Sequence, residues 1–181
     1  MRDVLEYHPG QYDIPRDRNE AFQICVGAIL TQNVGWRNVE SALINLRDKE
    51  ALLPKALLDL SDDDLRTAIR PAGYYNQKAK KLRIFTRHFL EHDRPDRDEL
   101  LGLWGIGPET ADSMLLYAFN VPIFVVDAYT RRVFPEFAKA SYDEIQERFH
   151  ASLPEDLHIY QEYHALIVRH AKEMKKNKIT S

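Results

Sequence analysis

The sequence predicts an all-α protein, and three observations carry that prediction. Apolar residues recur at helical spacing in several segments, for example at four positions within 111–118. Helix-start signals also recur, among them Ser61 before a run of aspartates and the Ser141-x-x-Glu144 capping box. No alternation of apolar and polar residues lasts long enough to indicate a β-strand.

The first half of the chain is predicted to form four main helices. Residues 21–32 are apolar on nearly every side, which predicts a helix buried at the centre of the molecule. Residues 38–47 are amphipathic. Ser61 begins a third helix that residues 71–73, Pro-Ala-Gly, bring to an end. Residues 76–92 predict a long fourth helix.

The second half begins with a short helix, a Gly-x-Gly turn and a second helix within residues 100–112. The apolar run 121–126 is interpreted as a buried connector between two lobes rather than a strand. Asp127 ends that connector and precedes a helix that extends to residue 134. The capping box described above begins the next helix, and residues 156–178 predict the last one.

The Gly-x-Gly turn is the first candidate for a binding site. Gly105 and Gly107 can adopt backbone angles that residues with side chains avoid, so a tight turn built from them can point N–H groups outward. Pro108 suits the first position of the following helix, whose N-terminus favours anions. The turn therefore indicates a phosphate site that does not read base sequence. On the glycines alone, an ordinary corner between two helices is equally compatible with the pattern.

Five segments together resemble a known family. Residues 103–111, LWGIGPETA, are similar to the helix-hairpin-helix motif of the HhH-GPD superfamily of DNA glycosylases, and 125–127, VVD, to the segment that carries its catalytic aspartate. Residues 29–33, ILTQN, resemble the segment that fills the gap left by an extruded base in endonuclease III-like members. Residues 73–79, GYYNQKA, are similar to their Gly-x-Tyr-Asn-x-Lys-Ala turn. Residues 164–168 are similar to the final helix of the branch that includes 3-methyladenine glycosylases.

The resemblance implies a two-lobed fold with the active cleft between the lobes. Residues 18–121 would form a six-helix barrel lobe that contains the helix-hairpin-helix. Residues 1–17 and 122–181 would together form the second helical lobe. With 181 residues, of which 44% are hydrophobic, the chain is long enough for such a pair of closely packed lobes.

Asp127 is the candidate catalytic residue. A glycosylase flips its target base out of the duplex, and cleavage of the N-glycosidic bond develops positive charge on the sugar. A fixed carboxylate can stabilise that charge and orient or deprotonate water. The alternative is that Asp127 only caps the helix that follows it, and the two roles are compatible.

Glu109 occupies the position at which bifunctional members of the family carry a lysine. That lysine forms a Schiff base with the sugar and then cuts the strand, whereas a carboxylate cannot form an imine. The resemblance therefore implies a monofunctional glycosylase with weak or absent AP-lyase activity. Glu109 is either a second polar group in the pocket or an acid favoured by the helix dipole.

Several further residues are candidates for contact with DNA. Gln32 and Asn33 would fill the space of the flipped nucleotide, or would only form a polar helix end. The predicted DNA-contacting residues are Gly105, Ile106, Gly107, Thr110, Gln32, Asn33 and Lys80. The other basic residues of the fourth helix either flank phosphates or lie on a solvated face; they are Lys78, Lys81, Arg83 and Arg87. For Lys78 and Lys81 the sequence favours the solvated face.

The base pocket is expected to be aromatic, because aromatic rings stack well on bases, above all on electron-poor alkylated ones. Its candidates are Trp36, Tyr12 and His8, with ordinary core packing as the alternative for each. His164 lies on the apolar face of the last helix and is interpreted as a hydrogen-bonded core residue. His164 and His170 point to different faces, so no metal pair is expected there.

The composition limits the cofactors, the binding partners and the cellular location that we expect. The net charge of −3 means that DNA binding must depend on a local patch. Cys25 is the one cysteine in the sequence, so we expect no [4Fe–4S] cluster, in contrast to many endonuclease III-like enzymes. A monovalent cation could bind the hairpin carbonyls. We expect a monomeric cytoplasmic protein, associated with the nucleoid if its source is prokaryotic, and no membrane partner.

The sequence therefore predicts a base excision repair enzyme that acts on double-stranded DNA containing a damaged base, most simply an alkylated purine. A glycosylase for a deaminated, mismatched or oxidised base is an alternative. A non-catalytic DNA-binding protein that retains the helix-hairpin-helix is another.

Overall fold

The computed structural model describes residues 15–177, with side chains described through residue 174. These residues form ten α-helices and contain no strand, which confirms the all-α prediction. The helices are α1 (Arg18–Thr31), α2 (Trp36–Asp48), α3 (Pro54–Asp59), α4 (Asp62–Ile69), α5 (Tyr75–Glu91), α6 (Arg97–Leu101), α7 (Pro108–Tyr117), α8 (Ala128–Val133), α9 (Tyr142–Ser152) and α10 (Leu157–Asn177). None of them, within that described range, is long and apolar enough to cross a bilayer.

Helix α1 lies at the centre of the first lobe, as the mostly apolar residues 21–32 predict. It contacts α2, α5 and α7. Phe22 of α1 is fully buried and packs against Phe85 and Phe89 of α5, with ring centroids 6.3 Å and 5.2 Å away. Aromatic contacts of this kind add to the free energy gained from burial alone.

Helix starts follow the predicted caps. The Ser61 side chain accepts a hydrogen bond from the Asp64 N–H at 3.0 Å, and Ser141 begins α9 with a complete capping box. A capping box between Asp96 and Glu99 begins α6. Helix α3 was not predicted, because its six residues are too few to show a helical period.

Two hydrophobic clusters correspond to two lobes. The first contains α1 to α5 together with the hairpin helices α6 and α7, and the second is formed mainly by the connector and α8 to α10. Helix α7 serves both, because Leu115 packs in the first cluster and Leu116 in the second. The predicted lobe boundaries stay a prediction, and residues 1–14 lie outside the described residues.

A buried polar network joins the hairpin to the second lobe. Asp112 of α7 is fully buried and accepts hydrogen bonds from Arg97 Nε at 2.7 Å, the Tyr142 hydroxyl at 2.8 Å and Gln146 Nε2 at 2.8 Å. Gln146 also donates to the carbonyl oxygen of Phe124 in the connector, at 2.6 Å. A buried carboxylate with this many donors specifies one arrangement of α6, α7 and α9.

The same face of α9 holds the connector that leads to Asp127. The Phe124 N–H donates to His150 Nε2 at 3.0 Å, and the Val126 N–H donates to the Tyr142 hydroxyl at 3.3 Å. The connector is therefore an extended segment whose backbone groups are paired by side chains rather than by a sheet. Its fixed path sets where Asp127 lies.

Candidate active site

The hairpin turn requires glycine at one position and tolerates a side chain at the other. Gly105 has φ +82°, and a Cβ there would lie 2.4 Å from Cε of Lys81. Gly107 has φ −103°, which any residue adopts, and a Cβ there would meet nothing within 4 Å. The buried Ile106 anchors the turn in the first core cluster. Gly107 caps α7, so the exposed side of the turn adjoins a helix N-terminus.

Gln32 is bonded to the hairpin. Its Nε2 donates to the Gly105 carbonyl oxygen at 3.1 Å and to Thr110 Oγ1 at 2.9 Å, and its Oε1 accepts a hydrogen bond from Lys81 Nζ. Asn33 follows, is exposed, and has φ +56°. The two predicted gap-filling residues thus differ, because the amide of Gln32 is engaged within the protein and Asn33 faces solvent.

The sequence favoured a solvated helix face for Lys78 and Lys81, and this interpretation was wrong. Lys78 is buried, and its Nζ donates to the carbonyl oxygens of Leu30 and Ala72, each at 2.8 Å. Burial, assisted by the positive charge of Lys81, lowers the pKa of Lys78 to about 8. Both lysines therefore hold the end of α1 and the hairpin in place, a tertiary role that helical spacing does not reveal.

Of the other lysine and arginine residues of α5, one is a partly buried anchor and two are exposed. Arg83 donates to the carbonyl oxygens of Leu58 and Leu60, so its guanidinium fastens α5 to the end of α3. Lys80 and Arg87 are exposed. Lys80 Nζ lies 4.2 Å from the centroid of the exposed Trp104 ring, immediately before the hairpin turn. The pair places positive charge and an aromatic face beside the predicted phosphate site.

Asp127 caps α8 with one carboxylate oxygen. Its Oδ1 accepts hydrogen bonds from the Thr130 N–H at 2.7 Å and the Thr130 hydroxyl at 3.0 Å, in a complete capping box. Its side chain is 12% exposed. The capping role weighed from the sequence is thus present, and it leaves Oδ2 available for chemistry.

His164 lies beside that second oxygen, which the sequence did not indicate. Its Nε2 is 3.4 Å from Asp127 Oδ2, is buried, and has no hydrogen-bond partner of acceptable geometry in the described part of the chain. Its Nδ1 is 2.6 Å from the Tyr117 hydroxyl. The interpretation of His164 as a core residue with its hydrogen bonds satisfied was therefore wrong. The one signal that could have found it is its place in the segment 164–168, which resembles the family's final helix.

Asp127 and Glu109 have pKa values shifted in opposite directions. Burial by itself would raise the pKa of Asp127, but the contacts with His164 and Thr130 outweigh it and hold that pKa below its usual range. Glu109, in the first turn of α7, is exposed as a residue, yet desolvation of its carboxyl group raises its pKa. The negative charge of Asp127 adds to that rise, and His164 opposes it. The hairpin helix thus brings Glu109 within electrostatic reach of Asp127 and His164.

Of the three residues predicted to line the base pocket, Trp36 lies in the described part of the chain. Trp36 begins α2 and packs, partly buried, against the first core cluster. Tyr12 and His8 lie outside the described residues. Their assignment to a base pocket stays a prediction.

Comparison with known proteins gives one family. The model of the HhH-GPD superfamily base excision DNA repair proteins matches residues 26–155. The protein named "Putative DNA repair glycosylase MJ1434" of Methanocaldococcus jannaschii is 44% identical over 192 aligned positions, covering 97% of this chain and 86% of that protein. Endonuclease III of Thermotoga maritima is 30% identical over 152 positions, covering 79% of this chain and 71% of that enzyme.

Solved structures show the same fold. The H. pylori 3-methyladenine DNA glycosylase MagIII, bound to 1,N6-ethenoadenine, superposes with a TM-score of 0.74 at 28% identity, covering 84% of this chain and 85% of that one. An endonuclease III in a non-covalent complex with DNA gives a TM-score of 0.71 at 22% identity, over 91% and 74% of the two chains.

Proposed function

Because the chain belongs to the HhH-GPD superfamily of base excision DNA repair proteins, we propose that it is a monofunctional DNA glycosylase that hydrolyses the N-glycosidic bond of an alkylated purine in duplex DNA. The observation that carries this proposal is the fixed position of the Asp127 carboxylate. One of its oxygens is fixed by Thr130 and the other lies beside His164.

The reaction requires an anion where the sugar becomes positive. As the bond from C1′ to the base breaks, the electron pair leaves with the base and C1′ develops cationic character. A preorganised carboxylate of low exposure stabilises that charge more than water would. A water oxygen then bonds to C1′, and Asp127 orients that water and accepts its proton. An N-alkylated purine that already carries positive charge leaves as a neutral base, without protonation by the enzyme.

The absence of strand cleavage is proposed from Glu109. The residue stands where bifunctional relatives carry the Schiff-base lysine, and its carboxyl group is coupled electrostatically to Asp127 and His164. A carboxylate has no amine to attack C1′, so the product is an intact strand with an abasic site.

The choice of an alkylated purine is supported by the likeness to MagIII, which combines 28% identity with a TM-score of 0.74. The partner that we propose is double-stranded DNA with a damaged base. The hairpin turn would hold a phosphate, Lys80 would add positive charge, and the exposed Asn33 would enter the space of the flipped base. We also propose that no iron–sulfur cluster is needed, since Cys25 is the one cysteine of the sequence and is buried in α1.

The test is base release from methylated genomic DNA, with products identified by mass spectrometry for the wild type and Asp127→Asn. We expect 3-methyladenine or a related purine from the wild type alone. Strand cleavage is measured in parallel on an abasic duplex and should require added alkali. Release of uracil, mispaired thymine or an oxidised base instead would establish one of the alternative substrates. Tight binding of abasic DNA without release of any base would favour a non-catalytic protein.

A further inference from the structure

A second group of chemically capable side chains lies away from the hairpin, near the end of α5. His88 lies in the last turn of α5, and His92 is the residue that immediately follows that helix. Their rings stack, with centroids 4.1 Å apart. Glu99, in the first turn of α6, faces them. One nitrogen from each ring and one oxygen of Glu99 all lie within 4.8 Å of one another.

We propose that His88, His92 and Glu99 bind a divalent transition-metal ion, with Zn²⁺ as the best fit, and that water completes the coordination. Two imidazoles and one carboxylate form a donor set well suited to Zn²⁺. Helical spacing alone does not reveal this site, because its third ligand comes from the next helix.

The spacing of two donors already fits a metal site. His92 Nδ1 and Glu99 Oε1 are 3.2 Å apart. Ligands about 2.0–2.1 Å from a tetrahedral ion lie roughly 3.3 Å from each other. Glu99 Oε2 is engaged in the capping box, where it accepts a hydrogen bond from the Asp96 N–H at 2.8 Å. The capping bond therefore holds the Glu99 side chain in place and leaves Oε1 for the ion.

His88 supplies an independent observation. Its Nε2 is buried and has no hydrogen-bond partner among the described residues, so the ring retains bonding capacity that this part of the protein does not use. Burial and the proximity of His92 lower the pKa of His88, although Glu99 and Glu91 oppose that shift.

The ion would connect the end of α5 to the start of α6. Helix α6 leads into the hairpin, and its Arg97 bonds to the buried Asp112. His88 is seven residues, or about 10 Å along the helix, from Lys81, which packs on Gly105. The ion would thus stabilise the hairpin's first helix and take no part in the chemistry at Asp127.

The experiment uses the full chain after treatment with a chelator. Titration with ZnCl₂ is followed by calorimetry, and titration with Co²⁺ by visible absorption, in the wild type, His88→Ala, Glu99→Gln and His170→Ala. His170, exposed on α10, provides the matched control. We expect one site per chain, a rise in Tm with Zn²⁺, and affinity reduced at least about tenfold in His88→Ala and Glu99→Gln but not in His170→Ala.

Two results would overturn the proposal. One is that the wild type shows no stoichiometric Zn²⁺ binding and no rise in Tm. The other is that His88→Ala and Glu99→Gln, checked for folding by circular dichroism, bind the ion as the wild type does. Glu99→Gln keeps the shape of the side chain and an oxygen for the capping bond, so it tests the site even if His88→Ala fails to fold.

Discussion

Asp127 Oδ2 and His164 Nε2 lie 3.4 Å apart, and the opposite nitrogen of the same imidazole lies 2.6 Å from the Tyr117 hydroxyl. Since Nε2 faces an acceptor, it is the nitrogen that carries the proton in the neutral ring, and Nδ1 then accepts a hydrogen bond from Tyr117. Thr130 fixes the first carboxylate oxygen. His164 is thus placed to orient the second oxygen and to keep the carboxylate ionised.

His164→Phe is therefore expected to slow base release by about tenfold or more, because Asp127 loses the electrostatic contact that orients its second oxygen. Loss of the imidazole also removes a contact that lowers the pKa of Asp127. The acid limb of the pH–rate profile should then move to higher pH. Single-turnover base release across the acid range measures both effects.

His164→Gln keeps a donor near Asp127 and should lose less activity than the phenylalanine variant. His170→Phe changes an exposed histidine of the same helix and should leave rate and profile unchanged. A fall in stability with an unshifted pH profile would show that His164 only packs against α7 and α8.

Two substitutions at Asp127 separate its capping role from catalysis. Asn caps helices about as well as Asp, so Asp127→Asn should fold normally, bind DNA, and lose at least about a hundredfold in base release. Asp127→Ala should lose the same activity and also about 1 kcal/mol of stability, because the Thr130 N–H loses its acceptor. Denaturation curves beside rate measurements make the distinction. Equal activity in Asp127→Asn and the wild type would remove Asp127 from the mechanism.

Features that depend on residues close together in sequence could be predicted, whereas contacts between distant segments could not. Asp127 could be selected as a candidate because it ends an apolar run and precedes a helix, and both signals are contiguous in sequence. The contact between His164 and Asp127 could not be predicted, because it depends on the packing of α10 against α8. Gln32 was predicted to contact DNA. The hydrogen bonds of its amide to the hairpin and to Lys81 could not be predicted, because they depend on how distant segments pack.

The two hairpin glycines should respond differently to substitution by alanine. Gly105→Ala puts a side chain at φ +82° and against Lys81, so it should destabilise the fold by about 1 kcal/mol or more. A Cβ at Gly107 meets no protein atom within 4 Å, so Gly107→Ala should lower Tm less than Gly105→Ala does. Its methyl group would lie in open space at the turn, where we propose that a phosphate binds, so DNA affinity should fall. Unchanged affinity in a folded Gly107→Ala variant would contradict the proposed phosphate site.

Lys78 gives the protein a measurable alkaline dependence of stability. Its pKa is about 8 in the fold, against 10.5 ordinarily, so between these values the unfolded chain binds more protons than the folded one. The contribution of Lys78 to stability therefore rises as pH increases through that window. The difference in unfolding free energy between the wild type and Lys78→Met should grow from pH 8 to about pH 10. Lys80→Met, at an exposed position, should show no such trend.

Glu109→Lys tests the reason proposed for the absence of strand cleavage. The substitution restores an amine at the position where bifunctional relatives carry theirs, within electrostatic reach of Asp127 and His164. We expect the variant to form a Schiff base with an abasic site, which borohydride traps as a covalent protein–DNA complex, and to cut the strand without alkali. Glu109→Gln, which has no nucleophilic amine, should give neither product. Trapping by the wild type itself would refute the monofunctional assignment. Failure of a folded, DNA-binding Glu109→Lys to be trapped would show that residue 109 does not face the sugar.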